Sequence, residues 1–394
     1  MSKTIMFIGA GVSQVLGIKT AKEMGLRVIV IDRDPNAPGM KFADIALPID
    51  ITDIKEAIEV AKKYGINGVM TQTDLGVPTV GAIVDAMGLA GNGSEIAYVS
   101  TNKVAMRERF KEFGVPSPIF EGVNAVDEAY EMVKRIGFPV MIKAVDSAGG
   151  RGVSRLDSFD GLKEAFEDSL LYSRDKRVCV EEFVEGIEIG AQAFSYDGKL
   201  EMALVHNDTV TPPPNYVPIG HSFPSKLPEE TIKKIGDAIS KALTALGIDY
   251  GPSNVDLIVT EEGPKVLEIG ARMGVTCLPE LVYEHTGINW IEQAIRVALG
   301  EKPSLKPKYN KACAALLLGA EKEGKIEEII VPDEIEDVSG VVDVSIDVKV
   351  GDEVKPFACG GANRIGQVIV RDKTAELAEK KAEMIKQMIR FKVE

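Results

Sequence analysis

Two runs of alternating character, Asn254-Val255-Asp256-Leu257-Ile258-Val259-Thr260 and Pro264-Lys265-Val266-Leu267-Glu268-Ile269-Gly270, are separated only by Glu261-Glu262-Gly263. A gap that short cannot carry a crossover, so the runs pair antiparallel as a hairpin, with Gly263 supplying the positive φ of the turn. If Thr260 pairs with Pro264, counting back in step places Asp256 directly across from Glu268, with their Cβ atoms about 5 Å apart on one face. Like charges so placed repel, and a hard divalent ion between them removes the penalty. Continuing at period two, Gly270 and Arg272 fall on the face of Glu268, where an arginine could hold a phosphoryl or carboxyl group. The plain alternative is an exposed acidic hairpin with Arg272 as its salt-bridge partner.

A second feature is a glycine loop set between two strands. Pro139-Val140-Met141-Ile142-Lys143 reads as a strand, residues 144–152 as a loop carrying Ser147, Gly149, Gly150 and Gly152, and Val153-Ser154-Arg155-Leu156 as a returning strand. A Walker-type phosphate loop would end in Lys-Ser or Lys-Thr and enter a helix directly. Here the glycines free backbone N–H groups on a hairpin tip that can close over phosphate oxygens, while Lys143 adds a point charge from the adjoining strand. A surface hairpin with one snorkelling lysine is the alternative.

Around these features the chain divides. Strands at 4–8, 27–31 and 67–71 alternate with helices at 13–24 and 53–64, and a short helix follows near 77–87, which makes a parallel α/β unit. A charged helix opening at Asn102-Lys103 and stopping at Gly114-Val115-Pro116 marks the first boundary. From 117 to about 189 the pattern is a small α+β unit with mostly antiparallel pairing, and 190–300 holds longer strands with helices at 229–246 and 289–299. Residues 302–307 read as a linker into a last unit that ends in a charged helix from 373 to about 390. A chain of 394 residues, 45% of them apolar, has ample material for several packed units. Its net charge of −14 disfavours a nucleic acid or an anionic membrane as partner. The apolar run at the N-terminus is too short for a secretory signal, and no stretch of about 20 apolar residues could span a bilayer. Cys179, Cys277, Cys313 and Cys359 lack paired spacing, so neither a disulfide framework nor a zinc site is expected, and a cytoplasmic location follows.

Gly9-Ala10-Gly11 between the first strand and helix, with Asp32 closing the next strand, has the outline of a dinucleotide site. Gln14 stands where that pattern needs a further glycine, and tight strand-to-helix turns favour glycine for steric reasons alone. A nicotinamide or flavin cofactor, another small anion, and plain turn geometry all stay open.

Taken together, these motifs resemble the ATP-grasp superfamily over essentially the whole chain. The resemblance implies an α/β, ATP-grasp fold with a Rossmann-like N-terminal domain at 1–113, a lid subdomain at 114–189, a catalytic subdomain at 190–305 and a C-terminal α+β unit at 306–394. It implies that Lys103 and Lys143 bind phosphate and that Ser147, Gly149, Gly150 and Gly152 belong to the lid. Within Cys179-Val180-Glu181-Glu182-Phe183-Val184-Glu185-Gly186-Ile187-Glu188, it implies that Glu181 and the backbone around Glu182 and Val184 read adenine and that Glu188 contacts the ribose. Asp256 and Glu268 become magnesium ligands, with Arg272 and Lys143 acting on the acyl phosphate. ATP and Mg2+ are the implied cofactors, with Mn2+ as a substitute. Two departures stand out: Asn102 where many members have Asp, and Gly270 where many have Asn, which removes one ligand and leaves one or two ions open.

The implied reaction activates a carboxylate with ATP and joins it to an amine. Residues 205–216 and 219–225 read as a long proline-stiffened loop, similar to the one bordering the amino-acid pocket of L-amino-acid ligases, with His206, His221 and Ser222 as candidate substrate contacts. Cys359-Gly360-Gly361-Ala362-Asn363-Arg364-Ile365-Gly366 is similar to a turn of purine-pathway relatives, with Arg364 as a candidate anion contact, and residues 32–39 point the same way. The expectation is a carboxylate–amine ligase of small molecules, with an amino acid as the acid and a homodimer as the assembly common among similar proteins. Its rivals are a purine-type carboxylase or formyl-transfer enzyme using bicarbonate or formate, a nicotinamide oxidoreductase, and a non-catalytic nucleotide-binding protein.

Overall fold

The computed structural model describes residues 2–211, 218–357 and 363–394. Strands β1 (Thr4–Ile8), β2 (Arg27–Ile31), β3 (Ile45–Leu47) and β4 (Gly68–Met70) form a parallel sheet in the order β3-β2-β1-β4. β1 is buried along its whole length, as expected of a parallel strand covered on both faces. Helices α1 (Val12–Glu23), α2 (Ile54–Tyr64) and α3 (Val77–Met87) connect and flank it. Two consecutive helices lead out, α4 (Ser94–Thr101) and α5 (Lys103–Phe113), with Asn102 at the joint accepting from the Ala105 N–H as N-cap. Sequence periodicity does not reveal α4, a short helix rich in Ser, Thr and β-branched residues, because its place is set by close packing on α3. A Cβ on Gly81 of α3 would lie 2.8 Å from that of Ala97.

A small antiparallel sheet follows. β5 (Phe120–Val123), β6 (Val140–Ala144), β7 (Val153–Leu156) and β8 (Val178–Glu182) are ordered β5-β8-β6-β7. Helices α6 (Val126–Ile136) and α7 (Leu162–Tyr172) bury Met132, Val133, Leu162 and Phe166 against Val140, Ile142, Val178 and Val180.

The centre of the molecule is an eight-stranded sheet. It takes β9 (Ile187–Tyr196), β10 (Lys199–Val210), β11 (Pro218–Phe223), β12 (Gly251–Thr260), β13 (Gly263–Gly270), β14 (Ala312–Gly319), β16 (Val341–Ile346) and β18 (Arg364–Asp372) in the order β13-β12-β9-β10-β11-β14-β18-β16. Strands from beyond the 302–307 linker thus extend the same sheet, through β11 paired with β14. Helix α8 (Glu229–Leu246) and α5 cover one face, where Ile235, Ile239 and Leu246 pack on Ala191, Ala193, Val255 and Leu257. Each such valine, leucine or isoleucine side chain contributes on the order of 1.5–3 kcal/mol by leaving water. Helices α9 (Leu278–Thr286) and α10 (Trp290–Ala298) cover part of the other face and share one core with the parallel sheet, with Phe194 meeting Trp290 edge-on at 5.0 Å. β15 (Gly324–Ile330), β17 (Glu353–Val354) and β19 (Arg390–Val393) form a small further sheet, while helix α11 (Ala375–Met388) packs on β14 and β18.

The alternation of β9 positions the site. Ile189, Ala191 and Ala193 point into the α8 core. Period two then sends Glu188, Gly190 and Gln192 to the opposite face, toward the cleft.

Candidate active site

Asp256 lies across from Glu268, as counted from the sequence, but by a different route. The strands start from Thr260 opposite Gly263, a register that alone would put Leu267 opposite Asp256. A β-bulge between Asp256 and Leu257 on one strand and Val266 and Glu268 on the other absorbs Leu267. It lets Val266 and Ile269 both face the α8 core while Glu268 turns to the cleft. Arg107 of α5 pins the bulge: its buried guanidinium donates to the Leu267 carbonyl and also to Glu181, at 3.0 Å. Sequence reasoning passed over Arg107, whose only signal is an arginine on the buried face of a helix.

Asp256 stands open to solvent on the cleft floor, yet is crowded by protein on its other sides. That crowding, then Glu268 and Asp208, raises its pKa to about 7. Asn254 donates to it at 3.0 Å and is itself held by Gln192 at 2.7 Å. Lys103 reaches Glu268 at 3.4 Å and donates to the Ser147 carbonyl at 2.8 Å, tying the glycine loop to the carboxylate pair. Gly149, Gly150 and Gly152 have φ of 69°, 78° and 66°, the left-handed region where a side chain is strained.

Lys143 is ion-paired with Glu181. Burial alone would raise the Glu181 carboxyl, but the Lys143 ammonium and the Arg107 guanidinium outweigh it and bring the pKa down to about 2. Glu182 accepts from Lys265 at 2.6 Å, and its N–H is bonded to the Ile119 carbonyl. Val184 is buried in the segment joining β8 to β9, and Glu188 opens onto the cleft with its pKa raised by enclosure and then by Asp208.

Arg272 forms a two-point bridge to Asp74 of the N-terminal unit, at 3.0 and 2.8 Å, and donates to the Met273 carbonyl. Asp74, missed in the sequence, fills the room left by the missing side chain at Gly270: a Cβ there would lie 3.1 Å from its Oδ1. Asp74, Ser100, Ser147, Arg151, Arg174 and Glu268 line a cavity of about 250 Å³.

The 205–225 stretch is not a long loop. β10 runs to Val210 and β11 starts at Pro218, so His206 and His221 sit on paired strands, with residues 212–217 outside the described residues. Both imidazoles meet Asp208, which the loop reading passed over. A His-x-Asp pattern on one strand face would have revealed it. Ser222 leaves the substrate set: alternation turns it to the other face, where its hydroxyl donates to Glu379 at 2.6 Å and accepts from Asn207 at 2.8 Å. Arg364 is bridged to Asp347 at 3.0 Å, and the preceding turn, 359–362, lies outside the described residues. At the first glycine loop, Asp32 accepts from the Ala10 N–H at 2.8 Å and the Gln14 amide lies close to Gly9 and Gly11.

Residues 102–306 match the family model of the carbamoyl-phosphate synthase L chain, ATP binding domain, and residues 316–394 match that of the L-amino acid ligase C-terminal domain 2. An uncharacterized protein of Sinorhizobium fredii is 27% identical over 364 residues, 89% of this chain and 75% of its own. Among solved structures, phosphoribosylglycinamide synthetase of Anaerococcus prevotii has a TM-score of 0.83 at 29% identity, covering 100% of both chains. L-amino acid ligase of Bacillus licheniformis has a TM-score of 0.85 at 20% identity, covering 100% of this chain and 99% of its own, a likeness of fold.

Proposed function

We propose that this chain, which belongs to the ATP-grasp carboxylate–amine ligases, activates the carboxylate of an amino acid as an acyl phosphate with ATP and Mg2+ and passes it to an amine, forming an amide or peptide-like bond. The observation that carries this reading is the pair Asp256 and Glu268, set face to face under a glycine loop with Lys103 and Lys143 beside it. Their donor set fits Mg2+: both are carboxylates, set directly across from each other on paired strands, and a hard divalent ion takes oxygen ligands of this kind.

When bound, the ion neutralises charge on nucleotide phosphates. Lys103 holds the glycine loop against Glu268, and the loop's N–H groups take phosphate oxygens as it closes and excludes water. Lys143 exchanges Glu181 for phosphate and, with Arg272 oriented by Asp74, stabilises charge on the transferring group. Glu181, Glu182 and Val184 bound the adenine site and Glu188 the ribose, while His206, His221 and Arg364 stand toward the substrates. The match of residues 316–394 to an L-amino acid ligase domain supports an amino acid as the acid.

Phosphate release from ATP and Mg2+ with pooled amino acids, compared with bicarbonate or formate plus an amine, tests the reading. Release only with the latter couple would favour a purine-type enzyme, the second reading, which the 29% identity to phosphoribosylglycinamide synthetase supports. Mn2+ is proposed to replace Mg2+, since oxygen donors suit both. A homodimer, checked by light scattering, and a cytoplasmic location complete the proposal. Among the described residues no helix is long and apolar enough to cross a membrane.

A further inference from the structure

On the cleft face of the central sheet, beyond Gly190 from Asp256, three other side chains converge. His206 and Asp208 stand two residues apart on β10, and His221 of β11 lies directly across from Asp208. The two Nδ1 atoms lie 2.7 and 2.6 Å from the same Asp208 oxygen. One ligand atom from each residue lies within 4.8 Å of the other two. We propose that His206, Asp208 and His221 form a binding site for a divalent transition-metal ion of the Zn2+ class, separate from the Asp256–Glu268 pair.

The donor set points to that class. Two imidazoles and one carboxylate suit Zn2+ and its first-row neighbours, whereas Mg2+ takes oxygen ligands. The fit is close: ligand bonds of about 2.0–2.2 Å in a tetrahedron separate ligand atoms by about 3.3–3.6 Å, so each imidazole need move from the Asp208 oxygen by about 1 Å or less. One imidazole nitrogen beside the triad is also unpartnered. His206 is 2% exposed, and its Nε2 has no partner among the described residues. The backbone also makes room for this ring: a Cβ on Gly190 would lie 2.2 Å from His206 Cε1 and 2.7 Å from Nε2.

The surroundings favour a cation. Glu188, two residues before Gly190 on β9, and Asp256, across from Gly190, put two further carboxylates on this face, and the nearby positive groups, Lys143 and Arg272, are already engaged by Glu181 and Asp74. Phe223 lies edge-on to His206 at 5.6 Å and stacks on His285, giving the site an apolar wall. Three protein ligands leave one position for water or for a substrate amine or carboxylate. None of this rests on the ligase reading, so the site can fail while the ligase stands.

The test uses the full chain, stripped with EDTA, held in excess Mg2+ without nucleotide, and titrated with Co2+ and then Zn2+. The expected result is about one Co2+ per chain with the absorption of a tetrahedral nitrogen and oxygen site, displaced by Zn2+. Affinity should fall at least about 10-fold in His221→Gln and in Asp208→Asn and change by less than about 3-fold in Asp256→Asn. Should Asp208→Asn fail to fold by circular dichroism, His221→Gln carries the test. Uptake below about a tenth of an equivalent at micromolar free ion would overturn the proposal, as would uptake undiminished in His221→Gln or uptake lost instead in Asp256→Asn.

Discussion

Glu181 and Asp256 are carboxylates on two different sheets, and their surroundings move them in opposite directions. Glu181, closed off from water, has two cations on it and sits near pKa 2. Asp256, crowded by protein except where it meets the cleft, has Glu268 opposite, and Arg272 is already held by Asp74, so it sits near 7. The contrast separates architecture from binding capacity. Charge compensated within the chain holds Arg107, and through it the Leu267 bulge, in place, while charge left uncompensated is what an incoming cation can use.

The largest effects should come from the open carboxylate pair and from the one compensating cation that a phosphate would draw away, Lys143. Glu268→Gln, Asp256→Asn and Lys143→Ala should each lower ATP-dependent turnover by about 10²–10³-fold or more while circular dichroism stays native. Near-normal rates in all three would remove the site. On the compensated side, Glu181→Gln leaves the buried Arg107 and the partly buried Lys143 without their anion and should cost about 3–5 kcal/mol in urea unfolding. A cost near zero would erase the contrast.

The two sides should also differ in pH response. Because the folded pKa of Glu181 is depressed, its stabilisation is fully present above the ordinary carboxylate range of about 4.3 and is lost as pH falls toward 2. The stability gap between wild type and Glu181→Gln, followed by unfolding at stepped pH, should therefore narrow over that window; a constant gap would show that Glu181 acts by packing rather than charge. The smallest effect is at Gly270, where alanine places a methyl group about 3.1 Å from Asp74 Oδ1 and should perturb the Asp74–Arg272 bridge, raising KM a few-fold with little change in stability. Wild-type kinetics would show that the bridge does not orient Arg272.

The hairpin, the glycine loop and the opposed acids were legible because they follow from local spacing and period-two geometry. The bulge at Leu267 was not, since a guanidinium 160 positions away in sequence holds it, and the opposed acids emerged from a register that the real turn does not use. Asp74 was hidden for the same reason, its partner Arg272 lying 198 positions away. His206 and His221 were seen as candidates but assigned to a loop, because Pro212, Pro213 and Pro214 outweighed the alternation on either side. With that, Asp208 between them went unread.

The measurement that bears most directly on the central claim is the fate of carboxylate oxygen. With an amino acid labelled by ¹⁸O in its carboxyl group, together with ATP, Mg2+ and an amine, activation as an acyl phosphate sends one labelled oxygen into each phosphate released. Mass spectrometry should find that label in the phosphate, in step with the amide product. Phosphate released without label while the amide forms would contradict the account.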